Sequence, residues 1–139
     1  MRILELEIEN VRGIQQLRLK PNGRPFVIWG PNGSGKSAVV DAIDFLLTGQ
    51  IQRLTGRGTG GITLAKHGPH IDHKARETRV RALVQLKNNA NPIELKRSMA
   101  EPTLLDGSLE ATEELNRIIP LAKQGCHILT SRLLKNGLF

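Results

Sequence analysis

The chain has 139 residues, 39% apolar, 3% aromatic, 24% charged, with a formal net charge of +7. That length fits one modest domain or one lobe of a larger one. No apolar run approaches the ~20 residues that would span a bilayer, the first residues carry glutamates where a signal peptide needs an apolar core, and Cys126 has no second cysteine to pair with. A membrane-spanning chain and a disulfide scaffold are therefore excluded, and a cytoplasmic location is expected.

Taken in chain order, Ile3 to Glu9 alternates, with Leu4, Leu6 and Ile8 on one side and Glu5, Glu7 and Glu9 on the other. This predicts a strand with one wet face. Asn10-Val11-Arg12-Gly13 reads as a turn, and Leu17 and Leu19 alternate with Gln16, Arg18 and Lys20, which predicts a second strand and a hairpin. After the turn residues Pro21 to Pro25, Phe26 to Trp29 is a short apolar run of the kind expected of a strand buried on both faces. Lys36 to Leu47 has a helical stripe of Val39, Ile43, Leu46 and Leu47, with Asp41 and Asp44 off it, and Gly49 suits the C-terminal cap. Residues 50–77 are Gly-rich with little periodicity and read as a long loop. Residues 78–98 read as an antiparallel hairpin turning at Asn88 to Pro92. A helix carrying Leu115, Ile118 and Ile119 is predicted after Ser108 or Thr112, ending at Pro120, with a helical or mixed stretch from His127 to Leu134.

The positive charge is unevenly placed. Residues 51–87 carry eight Lys/Arg against two Asp/Glu, while the flanking segments are near balance. Such a segment could lie against nucleic-acid phosphates or form a solvated loop. The shortage of aromatics gives little support for stacking on single-stranded bases.

Gly30-Pro31-Asn32-Gly33-Ser34-Gly35-Lys36-Ser37 matches G-x-x-x-x-G-K-[ST] at every defined position. Glycines let the backbone wrap a phosphate and aim several N–H groups at it. Lys36 brings a point charge to the β- and γ-phosphates and is the candidate catalytic residue. Ser37 is the candidate Mg²⁺ ligand. The following helix directs its positive end at the anion. Asn32, Gly33, Ser34, Gly35, Lys36, Ser37 and Ala38 are thus the candidate cofactor-binding residues, with ATP and Mg²⁺ as cofactors. No Asn-Lys-x-Asp string occurs, which disfavours guanine.

Glu9 to Ile14, the P-loop, Asp41-Ala42-Ile43 and Leu47-Thr48-Gly49 together resemble the amino-terminal ATPase lobe of the structural-maintenance-of-chromosomes group, with its zinc-hook repair ATPases and RecF- and RecN-like relatives. Arg97 and Arg117-Ile118-Ile119-Pro120 look similar to the same lobe. The resemblance implies an α/β fold, a P-loop NTPase of the ABC ATPase head type, with an antiparallel β-subdomain. It implies that residues 1–139 form the N-terminal lobe (P-loop 30–37, basic Gly-rich loop 50–77, β-hairpin 78–98). The C-terminal lobe, with signature motif, Walker B carboxylates and switch histidine, is absent from this sequence. That lobe and a head-to-head dimer are the implied partners, DNA a possible one, and a membrane none. The chain alone is expected to bind nucleotide weakly or not at all and to hydrolyse little, and to act as an ATPase within the complete head. DNA repair or chromosome maintenance is the implied process. The alternatives are a nucleotide-sensing lobe of an anti-phage or overcoming-lysogenisation-type nuclease system and, less in keeping with Asp41-Ala42-Ile43, a transporter ATPase.

Where the group has a Q-loop glutamine, this chain has Ser131-Arg132, and Gln124 reads as a loop residue. In the resembling lobe, a base at the position of Arg12 approaches the phosphates or the nucleobase; a solvent-facing turn arginine is the other reading. Asp41 and Asp44 are expected to face solvent or pair with a basic neighbour. His67, His70 and His73, with Asp72, have the residue types of a zinc cluster. Gly68-Pro69, however, breaks any helix that would align them, and Lys66, Lys74 and Arg76 crowd the segment. Cys126 reads as inert.

Overall fold

The computed structural model describes residues 1–55, 61–87 and 89–107. The helices expected beyond Ser108, together with Cys126, Gln124, Ser131 and Arg132, lie outside the described residues.

Four strands form one antiparallel sheet in the order β2-β1-β3-β4: β1 is Arg2–Val11, β2 Ile14–Leu19, β3 Arg79–Gln85 and β4 Ile93–Ser98. The long helix α1, Lys36–Thr48, packs across one face of this sheet. The apolar face of β1 differs from the simple alternation. A register shift between Ile3 and Glu5 inserts an extra residue opposite β3, so Ile3 is buried with Leu6 and Ile8 while Leu4 is only half-buried. Further along, Asn10 takes a left-handed backbone (φ 56), a conformation asparagine tolerates, and this turns Val11 into the core. Val80, Ala82, Val84, Ile93 and Leu95 complete the inner face of the sheet, against Val39, Ala42, Phe45 and Leu46 of α1. At roughly 25 cal/mol per Å² of apolar surface, this shared face is the main stabilising term.

The outer face is an acid–base ladder. Arg18 reaches Glu5 and Glu7, Arg79 meets Glu9 at 2.5 Å, Arg81 bridges Glu7 (2.8 Å) and Glu94 (2.6 Å), and Lys96 meets Glu94 at 2.8 Å. The hydrogen bond from Arg81, then that from Lys96, holds the Glu94 carboxyl down to about 2.

Three expectations need correction. First, Phe26 to Trp29 forms no strand with the described residues, and Val27 and Trp29 are 90% and 94% exposed. A strand buried on both faces needs a neighbouring strand on each side, and the one sheet among the described residues, β2-β1-β3-β4, does not include this segment. Phe26 and Ile28 alone turn inward. Second, Asp41 and Asp44 are buried and do not face solvent, although Asp41 follows the other expected course and pairs with basic neighbours, Arg53 and Arg12. Third, two short helices, α2 (Gln52–Thr55) and α3 (Leu64–His67), and a 3₁₀ turn at Ala75–Glu77 occupy the segment read as loop. Ile51 and Leu54 are buried there, so the side of α1 away from the sheet is covered as well. Asp44 serves this segment: its Oδ2 accepts the Gln52 N–H at 2.8 Å, capping α2. Burial pushes the Asp44 carboxyl up, opposed by that hydrogen bond and by the one from Thr48.

Candidate functional site

The P-loop joins the segment before Gly30 to α1. Gly33 (φ 85) and Gly35 (φ 86) both adopt left-handed backbone, which a side chain would strain. A Cβ on Gly30 would stand 2.9 Å from Ser34 Oγ, so the loop closes tightly there. Gly35 is the N-cap of α1 and offers no side-chain cap, and no acidic residue sits in the first turn. Nothing in the helix itself therefore neutralises its positive N-terminal end. Ser34 N–H donates to Pro31 O at 3.3 Å, and Ala38 N–H to Gly35 O at 2.9 Å. The Lys36 ammonium is folded into the loop, donating to Gly30 O and Pro31 O at 2.5 Å each. Asn32, Gly33, Ser34 and Ser37 are exposed around it, and Ala38 is buried beneath. The motif thus holds a lysine and left-handed glycines at a helix start, the donor set a polyphosphate needs.

A cleft of about 680 Å³ opens beside the loop. Gly30, Pro31, Ser34, Gly35 and Lys36 of the loop belong to its lining. Gly13 to Leu17 of the β1–β2 turn and β2 line it too, as do Trp29 and His70. His70 did not stand out in the sequence as a residue of this cleft. Its only signal was the histidine spacing, which pointed to metal. Among the described residues no group of three or more His, Cys, Asp or Glu is placed to hold a metal ion.

Arg12 has left-handed backbone at φ 53, unusual for a residue with a side chain. Its N–H donates to Gly68 O at 2.8 Å and its Nη1 to His67 O at 3.0 Å, which anchors the β1–β2 turn to α3. Its Nε lies 3.7 Å from Asp41, whose other oxygen is 3.3 Å from Arg53 Nε. Burial pushes the Asp41 carboxyl up, and Arg53, then Arg12, pull it back. Arg12 is therefore tied to protein partners beside the cleft. The basic segment 51–87 is also partly compensated: Arg53, Arg79 and Arg81 each face a carboxylate.

No helix of the described residues is long and apolar enough to cross a membrane. A family model described as an AAA domain matches residues 5–134. The DNA replication and repair protein RecF of Psychromonas ingrahamii is 33% identical over 107 residues, which is 76% of this chain and 26% of that protein. Structural maintenance of chromosomes protein 5 of Arabidopsis thaliana is 42% identical over 66 residues, 48% of this chain and 6% of that protein. A solved structure of the recombination mediator protein RecF-ATP in the RecFOR pathway is similar in fold, with a TM-score of 0.54 at 18% identity over 77% of this chain and 26% of that one. The chain therefore spans about a quarter of the RecF protein it matches, at 26% of its length. This chain belongs to the AAA domain family, as an SMC- and RecF-like P-loop ATPase lobe of the amino-terminal type.

Proposed function

We propose that this chain binds ATP with Mg²⁺ through Gly30 to Ser37 and forms half of an ATPase head that is completed by a C-terminal lobe and dimerises head to head. The carrying observation is the loop itself: left-handed Gly33 and Gly35 lead into α1, whose first turn holds Lys36 and no carboxylate. In this reading the Lys36 ammonium exchanges its two carbonyl acceptors for the β- and γ-phosphates, a stronger charge-assisted pairing. Backbone N–H groups from Asn32 to Ala38 cradle the same oxygens, those of Ser34 and Ala38 by leaving or sharing their present acceptors, Pro31 O and Gly35 O. Ser37, exposed on the first turn, gives Mg²⁺ a hydroxyl ligand. Bound Mg²⁺ supplies charge neutralisation across the phosphate oxygens. Arg12, beside the cleft, reaches the nucleotide by leaving Asp41 to Arg53.

Hydrolysis also requires a positioned water and a carboxylate. Among the described residues the cleft lining contains neither Asp nor Glu. The isolated chain is accordingly a weak binder with little turnover, and activity belongs to the assembled head. RecF and the chromosome protein are named for DNA replication and repair and for chromosome maintenance. A role of that kind in the cytoplasm, with DNA met by the assembled dimer, is the process we infer.

Calorimetric titration of the chain with ATP and Mg²⁺ tests the binding claim. The wild-type chain is expected to bind with a Kd of roughly millimolar order. Lys36→Ala weakens this by roughly ten- to hundredfold, the worth of a charged hydrogen bond. Equal affinity in the two proteins would contradict the assignment, as would steady ATP turnover by the isolated wild-type chain against the account of an incomplete head.

A further inference from the structure

His70 belongs to the segment read as loop, yet it is firmly placed. Its N–H donates to Asn10 O at 2.7 Å, and its carbonyl accepts from His73 N–H at 2.9 Å. The neighbouring Pro69 bridges to Val11 at the end of β1. These contacts set the histidine against the end of β1 and the turn that follows it, in the lining of the same cleft as the start of α1. Its side chain is only 14% exposed.

The two ring nitrogens differ. Nδ1 accepts the Asp72 backbone N–H at 3.3 Å, with the Asp72 carboxylate at 3.7 Å, and the ring meets His73 edge-on at 5.6 Å between centroids. An imidazole whose Nδ1 accepts carries its proton on Nε2. Among the described residues Nε2 has no hydrogen-bond partner, though the side chain is largely buried and its residue lines the cleft. A mostly buried donor without a protein partner is costly unless a ligand or water completes it.

We propose that His70 Nε2–H donates to an acceptor on the nucleoside end of the bound nucleotide, as a binding and positioning residue. This rests on the reading of Gly30 to Ser37 as the phosphate cradle. The loop and Lys36 account for the terminal phosphates, and His70, held at the end of β1 and not in the loop, is left to meet the sugar or base in the same cleft.

The test separates the two ends of the ligand. The full chain is titrated with Mg²⁺-ATP and, separately, with Mg²⁺ and inorganic tripolyphosphate. Binding is followed by calorimetry and by emission of Trp29, the chain's single tryptophan and a residue of the same cleft. His70→Asn keeps an acceptor near the Nδ1 position for the Asp72 N–H but removes the Nε2 donor. His70→Gln places an amide N–H near Nε2. Asparagine is expected to weaken ATP binding about five- to tenfold, glutamine to restore most of it, and neither to change tripolyphosphate binding. Unchanged ATP binding in His70→Asn would overturn the proposal. So would an equal loss for ATP and tripolyphosphate, or a loss in His70→Gln as large as in His70→Asn, since each marks a phosphate-facing or purely structural histidine. A wild-type chain that takes up neither ligand overturns the cradle reading and this proposal with it. Lys36→Ala losing both ligands while His70→Asn keeps both would leave the cradle standing and remove only His70.

Discussion

Replacing Gly49 with alanine is expected to lower the unfolding free energy by about 3 kcal/mol, read as a shifted denaturant midpoint at constant slope. Three effects add. Gly49 closes α1 in left-handed backbone at φ 75, with its N–H on Phe45 O at 2.8 Å, and a Cβ costs about 1 kcal/mol in that conformation. The added Cβ would also stand 2.2 Å from Pro102 O, a backbone atom that cannot rotate away. It would come 2.9 Å from Arg97 Nη1 as well. Moving the Pro102 segment breaks the Arg97 hydrogen bond to Pro102 O, at a further cost of about 1–3 kcal/mol for a buried group left unpaired. A loss below about 1 kcal/mol would mean that residues 99–107 do not seat on the end of α1 as described.

Arg97→Met is expected to cost about 2–4 kcal/mol, the penalty of two buried acceptors losing one donor. Arg97 is buried on β4 and has no carboxylate partner among the described residues. It donates Nε to Leu46 O at 2.8 Å and Nη1 to Pro102 O. Leu46 O lies in the last turn of α1, where carbonyls have no partner within the helix and the dipole is negative. That turn has no basic residue of its own, so Arg97 brings the cation from the sheet. Burial alone lowers the guanidinium's pKa, yet arginine stays charged at any physiological pH. Lysine has one ammonium in place of the guanidinium fork and is expected to recover less than half of the loss. Gly49 and Arg97 meet the same carbonyl, so the double variant should lose less than the two singles combined. Additivity would show that they act apart.

How much of this was legible depended on whether the signal was local. The P-loop, α1 and its Gly49 cap, and the strands around Leu6 and Ile8 follow from spacing and glycine placement, which act within a few residues. The shift that buries Ile3 rather than Leu4 is set by pairing with Val84, 81 positions away, and leaves no mark on the local alternation. The burial of Asp41 and Asp44 escapes the sequence for the same reason, although a basic partner for Asp41 was expected. They lie off the apolar stripe of α1, and only the approach of Arg12, Arg53 and the Gln52 N–H makes their burial tolerable. Phe26 to Trp29 has the composition of a central strand, but a strand exists only where neighbours pair with it. His70 was hidden because its place in the cleft comes from the bridge of Pro69 to Val11 and not from any periodicity. Arg97 could be noticed by resemblance, but its hold on the end of α1 could not.

The most direct measurement is a residue-resolved one: ¹H–¹⁵N NMR of the isotope-labelled chain during titration with Mg²⁺-ATP. The account predicts that the amide signals of Asn32, Gly33, Ser34, Gly35, Lys36, Ser37 and Ala38 move together and saturably, as the phosphates take their N–H groups. Signals of β3 and β4 should stay in place. Shifts that avoid the P-loop, or that gather instead on the basic residues of 51–87, would contradict nucleotide binding at this loop.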